Sequence, residues 1–253
     1  MARVLVIVPF PVDADNLARR QVQLEAVRLG EGIVFAFRPV RIAPANYVSA
    51  QDSLLADLGI LEAGLAAEEE GFDAVCIDTV SDSGMAALRS VLRIPVIGAG
   101  RHAMLAALML GERFSILAMW GRWRPLYTKT QAELGFEARC ASIRSADLEP
   151  NNQSLLKGRE EEVFPVLLQT ALRCIEEDRA DVIVLGSTTM HEAHAFLAER
   201  LPIPIVNPGP LTYRLAQTAI RLRLSHSQVA YPPPRAFSPE IVRAMADASA
   251  NAS

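Results

Sequence analysis

Two hydroxyl residues, Thr79 and Ser187, hold matching places 108 residues apart. Each ends a run that an aspartate opens six residues earlier: Asp73-Ala-Val-Cys-Ile-Asp-Thr79 and Asp181-Val-Ile-Val-Leu-Gly-Ser187. More hydroxyls follow both, Ser81 and Ser83 after the first and Thr188 and Thr189 after the second. A helix cap accounts for one such hydroxyl. Three in a row suit a cradle of hydroxyls and backbone N–H groups for a carboxylate, and Ser81 and Ser83 could form its counterpart. Asp78 is a carboxylate inside an otherwise apolar run, where a buried charge needs a partner, so it is a candidate for proton transfer. Asp82, just before Ser83-Gly84, reads as the cap of the following helix and also counts with Ser81 and Ser83 among the substrate-binding candidates. His191 lies four residues after Ser187, His194 three further on, and His102 two after Gly100. These are general acid–base candidates, with His191 and His102 ahead of His194; His226 reads as a surface residue. Ser187, His191 or His102, and Asp78 are also the residue types of an activated nucleophile with its base, served by an N–H oxyanion hole.

Apolar candidates for the walls of a site stand after two other runs. Val4–Val8 leads into Pro9-Phe10-Pro11, and Phe114–Ala118 leads into Met119-Trp120-Gly121-Arg122-Trp123, with Arg124 and Tyr127 close behind. Phe10, Trp120 and Tyr127 are the expected wall residues, suited to a ring-bearing or carboxylated ligand.

These residues need a scaffold, and the hydropathy pattern supplies one. Val4–Val8, Ala74–Asp78, Pro95–Ile97, Phe114–Ala118, Asp181–Leu185 and Ile203–Val206 are apolar on successive residues, as strands covered on both faces must be. Amphipathic stretches lie between them, among them Ser53–Glu70, Gly84–Leu92, Glu160–Glu177 and Glu192–Arg200. Strands alternating with helices predict βαβ units and parallel sheets. The pattern also repeats. Ile94-Pro95 follows Thr79 by 15 residues, Ile203-Pro204 follows Ser187 by 16, and Arg3-Val-Leu-Val-Ile-Val matches Arg113-Phe-Ser-Ile-Leu-Ala. Three ordered matches at offsets of 108 to 110 residues indicate internal duplication.

The expected fold is therefore α/β. It consists of two similar flavodoxin-like three-layer halves related by a pseudo-two-fold, residues 1–110 plus 211–253 and residues 111–210, with the site in the cleft between them. Ligands of open parallel sheets bind beyond the strand carboxyl ends, where helix N-termini favour an anion. A small carboxylate or enolate-like ligand is expected.

Composition removes other classes. With 25 Lys+Arg against 29 Asp+Glu the net charge is −4, and the basic footprint of a nucleic-acid binder is missing. Three cysteines, Cys76, Cys140 and Cys174, form neither a disulfide framework nor a zinc-ligand pattern, which suits a reduced, cytoplasmic setting. Neither a secretory leader nor a membrane span is expected. No Gly-x-Gly-x-x-Gly pattern and no P-loop lysine motif is present.

In the order and spacing of Asp73–Met85 with Ser81-Asp82-Ser83-Gly84, of Ile94-Pro95-Val96-Ile97-Gly98, and of Val182-Ile-Val-Leu-Gly-Ser187-Thr-Thr-Met190, the chain resembles the Asp/Glu/hydantoin racemase superfamily over nearly its whole length. The resemblance implies a cofactor-independent, metal-free enzyme in which each half offers one strand-end cysteine, one removing the substrate proton and the other returning it. Here those positions are Thr79 and Ser187. A hydroxyl is a far weaker base than a thiol near neutrality, so proton transfer is expected to pass through Asp78 or a histidine. The reaction implied is racemisation or isomerisation at a carbon next to a carboxyl or carbonyl. The substrate is a small carboxylate or a cyclic amide or imide like a hydantoin, with no nucleic-acid or membrane partner, in a homo-oligomer. Hydrolase or decarboxylase/lyase chemistry on the same scaffold is the alternative, and a non-catalytic binder fits the polar strand ends least.

Overall fold

The computed structural model describes residues 1–151, 156 and 158–250. The chain divides into two compact units, residues 1–98 with 212–253 and residues 99–211. The sequence reading divided it after residue 110 and after 210. The helix that accounts for the difference, Ala99–Leu110, packs on the strands of the second unit.

In the first unit, strands β1 (Ala2–Val8), β2 (Ile33–Pro39), β3 (Ala74–Ile77) and β4 (Val96–Gly98) form one parallel sheet in the order β2-β1-β3-β4. Its helices are α1 (Ala14–Gln21), α2 (Ala50–Gly64) and α3 (Met85–Val91). Side chains alternate between the sheet's two faces. Leu5, Ile7, Val75 and Ile77 pack with Ile60, Ala63, Met85 and Leu88 of α2 and α3. Val4, Val6, Ala74 and Cys76 turn the other way and pack with Tyr213 and Ala216. Burial on both faces is why these strands read as unbroken apolar runs.

The second unit holds α4 (Ala99–Leu110), β5 (Phe114–Ala118), α5 (Arg124–Leu134), β6 (Cys140–Ser145), α6 (Glu160–Glu176), β7 (Val182–Leu185), α7 (His191–Ala198) and β8 (Ile205–Val206). Its sheet is also parallel and runs β6-β5-β7-β8. The first strand of each unit thus pairs with the second and third, the same order twice, as a duplicated sequence requires. Helix α4 packs on β5, β7 and β8 and against α5, whereas α6 packs on β5 and β6 and against α7. Helix α8 (Pro208–Leu222) begins in the second unit and continues into the first, where α9 (Pro239–Ala250) packs on α2.

All six strands expected from the sequence are present. Two more, β2 and β6, are the outer strands of their sheets. The residues of β2 are exposed or only part-buried and those of β6 are all part-buried; β6 lacks a continuous apolar run, whereas β2 opens on one at residues 33–37 that the expected strands did not include. Among the described residues no helix is long and apolar enough to cross a membrane.

Candidate functional site

Strand order reverses between β1 and β3 in the first sheet and between β5 and β7 in the second. Open α/β sheets bind ligands just beyond the carboxyl ends at such a switch point. In the first unit these ends are Pro9-Phe10 and Asp78–Ser83; in the second they are Met119-Trp120 and Gly186–Thr189.

The first strand end is a chain of hydroxyls. Thr79 Oγ1 and Ser81 Oγ share a hydrogen bond of 3.1 Å, and Ser81 Oγ and Ser83 Oγ one of 2.8 Å. All three residues are buried. The turn that gathers them passes through Asp82 at φ 52° and Gly84 at φ 69°, left-handed conformations that glycine adopts freely and aspartate tolerates. Asp82 is not the cap of α3, contrary to the expectation from sequence. The N-cap residue is Gly84, and its N–H donates to Asp57 Oδ1 of α2 at 2.7 Å. The carboxylate of Asp82 lies instead against Cα of Gly98, so close that a Cβ at residue 98 would strike it.

Asp78 faces elsewhere. Its main chain extends the ladder, donating from its N–H to the Ile7 carbonyl at 2.9 Å, so by alternation its side chain shares the face of Cys76. There Arg20 Nη1 donates to Asp78 Oδ2 at 3.0 Å and Gln23 Nε2 donates to Oδ1 at 3.4 Å. Both side chains of the ion pair are 1% exposed. Asn16 Oδ1, one turn earlier on α1, accepts from Arg20 Nε at 3.0 Å. Asp78 is thus held as the counter-ion of a buried guanidinium. Arg20 escaped the sequence reading because Arg19-Arg20 reads as a solvated helix face. The signal available was Asp78 itself, a charge that needed a partner.

The second strand end repeats the hydroxyl motif. Ser187 Oγ and Thr189 Oγ1 share a hydrogen bond of 2.8 Å, and Ser187 Oγ also accepts from the Thr189 N–H at 3.3 Å, capping the short turn Thr188–Met190. His191, the first residue of α7, sets its Nδ1 3.1 Å from the Thr188 carbonyl oxygen. Against a carbonyl oxygen, Nδ1 is the donor of that contact. His102 is the fourth residue of α4 and, like His191 and His194, is partly buried. Outside both strand ends, His226 is also partly buried, its Nε2 2.9 Å from the Leu92 carbonyl oxygen, and burial lowers its pKa.

The aromatic candidates divide into two kinds. Phe10 stacks on Tyr47 with centroids 5.2 Å apart, and Trp120 meets Trp123 edge-on at 6.4 Å with Arg122 over its ring. Tyr127 is enclosed, and its hydroxyl donates to the Gly186 carbonyl at 2.8 Å. The second strand end is therefore tied down by a neutral phenol; burial pushes that phenol's pKa well up. Tyr47, whose hydroxyl donates to the Pro9 carbonyl at 3.3 Å, carried no sequence signal.

The thiols are poorly placed for chemistry. Cys76 and Cys174 are fully buried and Cys140 is partly buried. Burial raises all three pKa values, that of Cys140 to about 11. Among the described residues no group of three or more His, Cys, Asp or Glu converges as metal ligands.

A profile of the family Asp/Glu/Hydantoin racemase matches residues 19–216. The chain belongs to the Asp/Glu/hydantoin racemase family. It is 29% identical to a hydantoin racemase of Pseudomonas sp. (strain NS671) over 182 residues, covering 72% of each chain. It is 28% identical to a hydantoin racemase of Paenarthrobacter aurescens over 223 residues, 87% of this chain and 92% of the relative. Among solved structures, allantoin racemase from Klebsiella pneumoniae superposes with a TM-score of 0.83 at 26% identity, covering 94% of this chain and 96% of that one. The α/β architecture of this racemase family is thus the frame that carries Thr79 and Ser187 at its strand ends.

Proposed function

We propose that this chain is a cofactor-independent racemase or isomerase acting at a carbon next to a carbonyl or carboxyl. Its substrate is a small carboxylate or a cyclic amide or imide of the hydantoin type. The observation that carries this reading is the repeated strand end. In a racemase-family fold, Thr79 and Ser187 occupy matching positions, each hydrogen-bonded to the hydroxyl two residues on. Hydroxyls and turn N–H groups of this kind hold a carboxylate and stabilise the negative charge that appears on oxygen when the neighbouring carbon loses its proton. Thr79, Ser81 and Ser83 at the strand end of the first unit and Ser187, Thr188 and Thr189 at that of the second are the candidates for these groups, with Phe10 and Trp120 the apolar wall candidates of their own units. The hydroxyls are too weakly acidic to carry the proton themselves at neutral pH. His191, at the start of the helix that follows Ser187, is the proton acceptor, with His102 the second candidate. Asp78 acts through Arg20, fixing the first strand end rather than taking a proton.

The test is incubation of the chain in heavy water with single enantiomers of 5-substituted hydantoins, allantoin and amino acids. Loss of optical rotation together with deuterium at the stereocentre is the expected result. A ring-opened acid or released carbon dioxide, without exchange in recovered substrate, would replace this reading with the hydrolase or decarboxylase one.

A further inference from the structure

Of the buried polar atoms of the first unit with no hydrogen-bond partner among the described residues, three belong to one neighbourhood: Arg20 Nη2, Gln23 Oε1 and the Tyr213 hydroxyl. Arg20 and Gln23 stand one turn apart, and each already places a nitrogen on a different oxygen of Asp78. Their remaining polar ends are therefore held beside the same carboxylate. Tyr213 of α8 covers this face of the sheet and packs with Cys76, two residues before Asp78. Asp78 and Arg20 are both within electrostatic reach of its phenol. An unserved buried donor or acceptor is costly, and native interiors satisfy such groups with protein or ordered water.

We propose that Arg20, Gln23 and Tyr213 enclose a site for an ordered water molecule at the strand end that carries Asp78 and Thr79. The donor set selects the ligand. Arg20 Nη2 offers a hydrogen, Gln23 Oε1 requires one, and the phenol does either, so a molecule that both donates and accepts completes all three. Buried waters typically make about three hydrogen bonds. Charge excludes ions: one guanidinium balances one carboxylate, Asn16, Gln23 and Tyr213 add none, an anion would face Asp78, and a cation would face Arg20. The water braces the ion pair through Arg20 and Gln23, and through it the main chain leading into Thr79.

Two measurements test this, and neither depends on the proposed activity. A crystal structure of the intact chain at about 1.5 Å or better should show a solvent peak within hydrogen-bond distance of Arg20 Nη2 and of Gln23 Oε1 or the Tyr213 hydroxyl. Direct pairing of these groups with protein atoms and no such peak would overturn the site, as would an ion in its place. Tyr213→Phe keeps the ring and removes the hydroxyl. If the hydroxyl holds water, Tm falls by about 2–4 °C. An unchanged or higher Tm would mean that the phenol is unserved, and the site would lose its third wall.

Discussion

Residues 78 and 186 stand one place before the two strand-end hydroxyls, and the two units treat this position in opposite ways. In the first unit it is Asp78, anchored by charge to Arg20, 58 residues earlier in the chain. In the second it is Gly186, whose carbonyl is held by the neutral Tyr127 hydroxyl and whose missing side chain makes room for that contact. A Cβ there would lie 2.8 Å from both the Tyr127 oxygen and the Leu117 carbonyl oxygen. A duplicated frame has thus kept its sheet order and its hydroxyl pair while solving the same mechanical problem with an ion pair on one side and a phenol on the other. The lesson is that the frame constrains where the strand ends, while the means of holding it is free to drift.

The largest effect should come from breaking the charged anchor. Arg20→Met leaves Asp78 buried without its cation and should cost about 3–5 kcal/mol of stability. Adding Asp78→Leu should recover most of that loss, because replacing both partners of a buried pair is often near neutral. Denaturant titration of the single and double variants gives the answer, and a single variant within about 1 kcal/mol of the parent would show that the pair is not the anchor.

Next in size is Ser187→Ala. Losing a cap costs about 1 kcal/mol of folding stability, whereas losing a hydroxyl that serves the transition state should remove about 2–3 kcal/mol from its stabilisation, comparable to an oxyanion-hole donor. Comparing kcat/KM with the unfolding midpoint separates the two. Near-normal turnover with a lowered midpoint would reduce Ser187 to a cap.

The neutral anchor should matter less than the charged one. Tyr127→Phe deletes a single hydrogen bond and should destabilise by about 1 kcal/mol. A loss as large as that of Arg20→Met would erase the distinction between the two units.

The smallest expected effect is that of thiol reagents. The fully buried Cys76 and Cys174 and the weakly acidic Cys140 should leave turnover nearly unchanged after brief alkylation under native conditions, since the thiolate is the reactive form. Rapid inactivation that substrate prevents would place a thiol at the reacting carbon and displace the hydroxyls from that role.

The parallel sheets, the duplication and the two strand-end hydroxyls were legible in the amino-acid order because each is a local pattern. A strand enclosed on both faces is apolar on successive residues, as β3 and β7 are throughout and β1 and β5 are apart from Arg3 and Ser115, and a repeat preserves its spacing. Edge strand β6 was not legible, since its part-exposed positions accept Ser142 and Arg144 as readily as valine, whereas β2 did offer an apolar run at residues 33–37 before Arg38 and Pro39. Asp78 was recognisable as a charge needing a partner, but its partner was not. Tertiary structure decided that Arg20 and Gln23 meet its carboxylate, that Gly84, with its N–H on Asp57, rather than Asp82 is the N-cap of α3, and that Tyr127 reaches the Gly186 carbonyl from 59 residues away. Such bonds join side chains brought close only when helices dock on the sheet, and no periodicity along the chain encodes which two ends will meet.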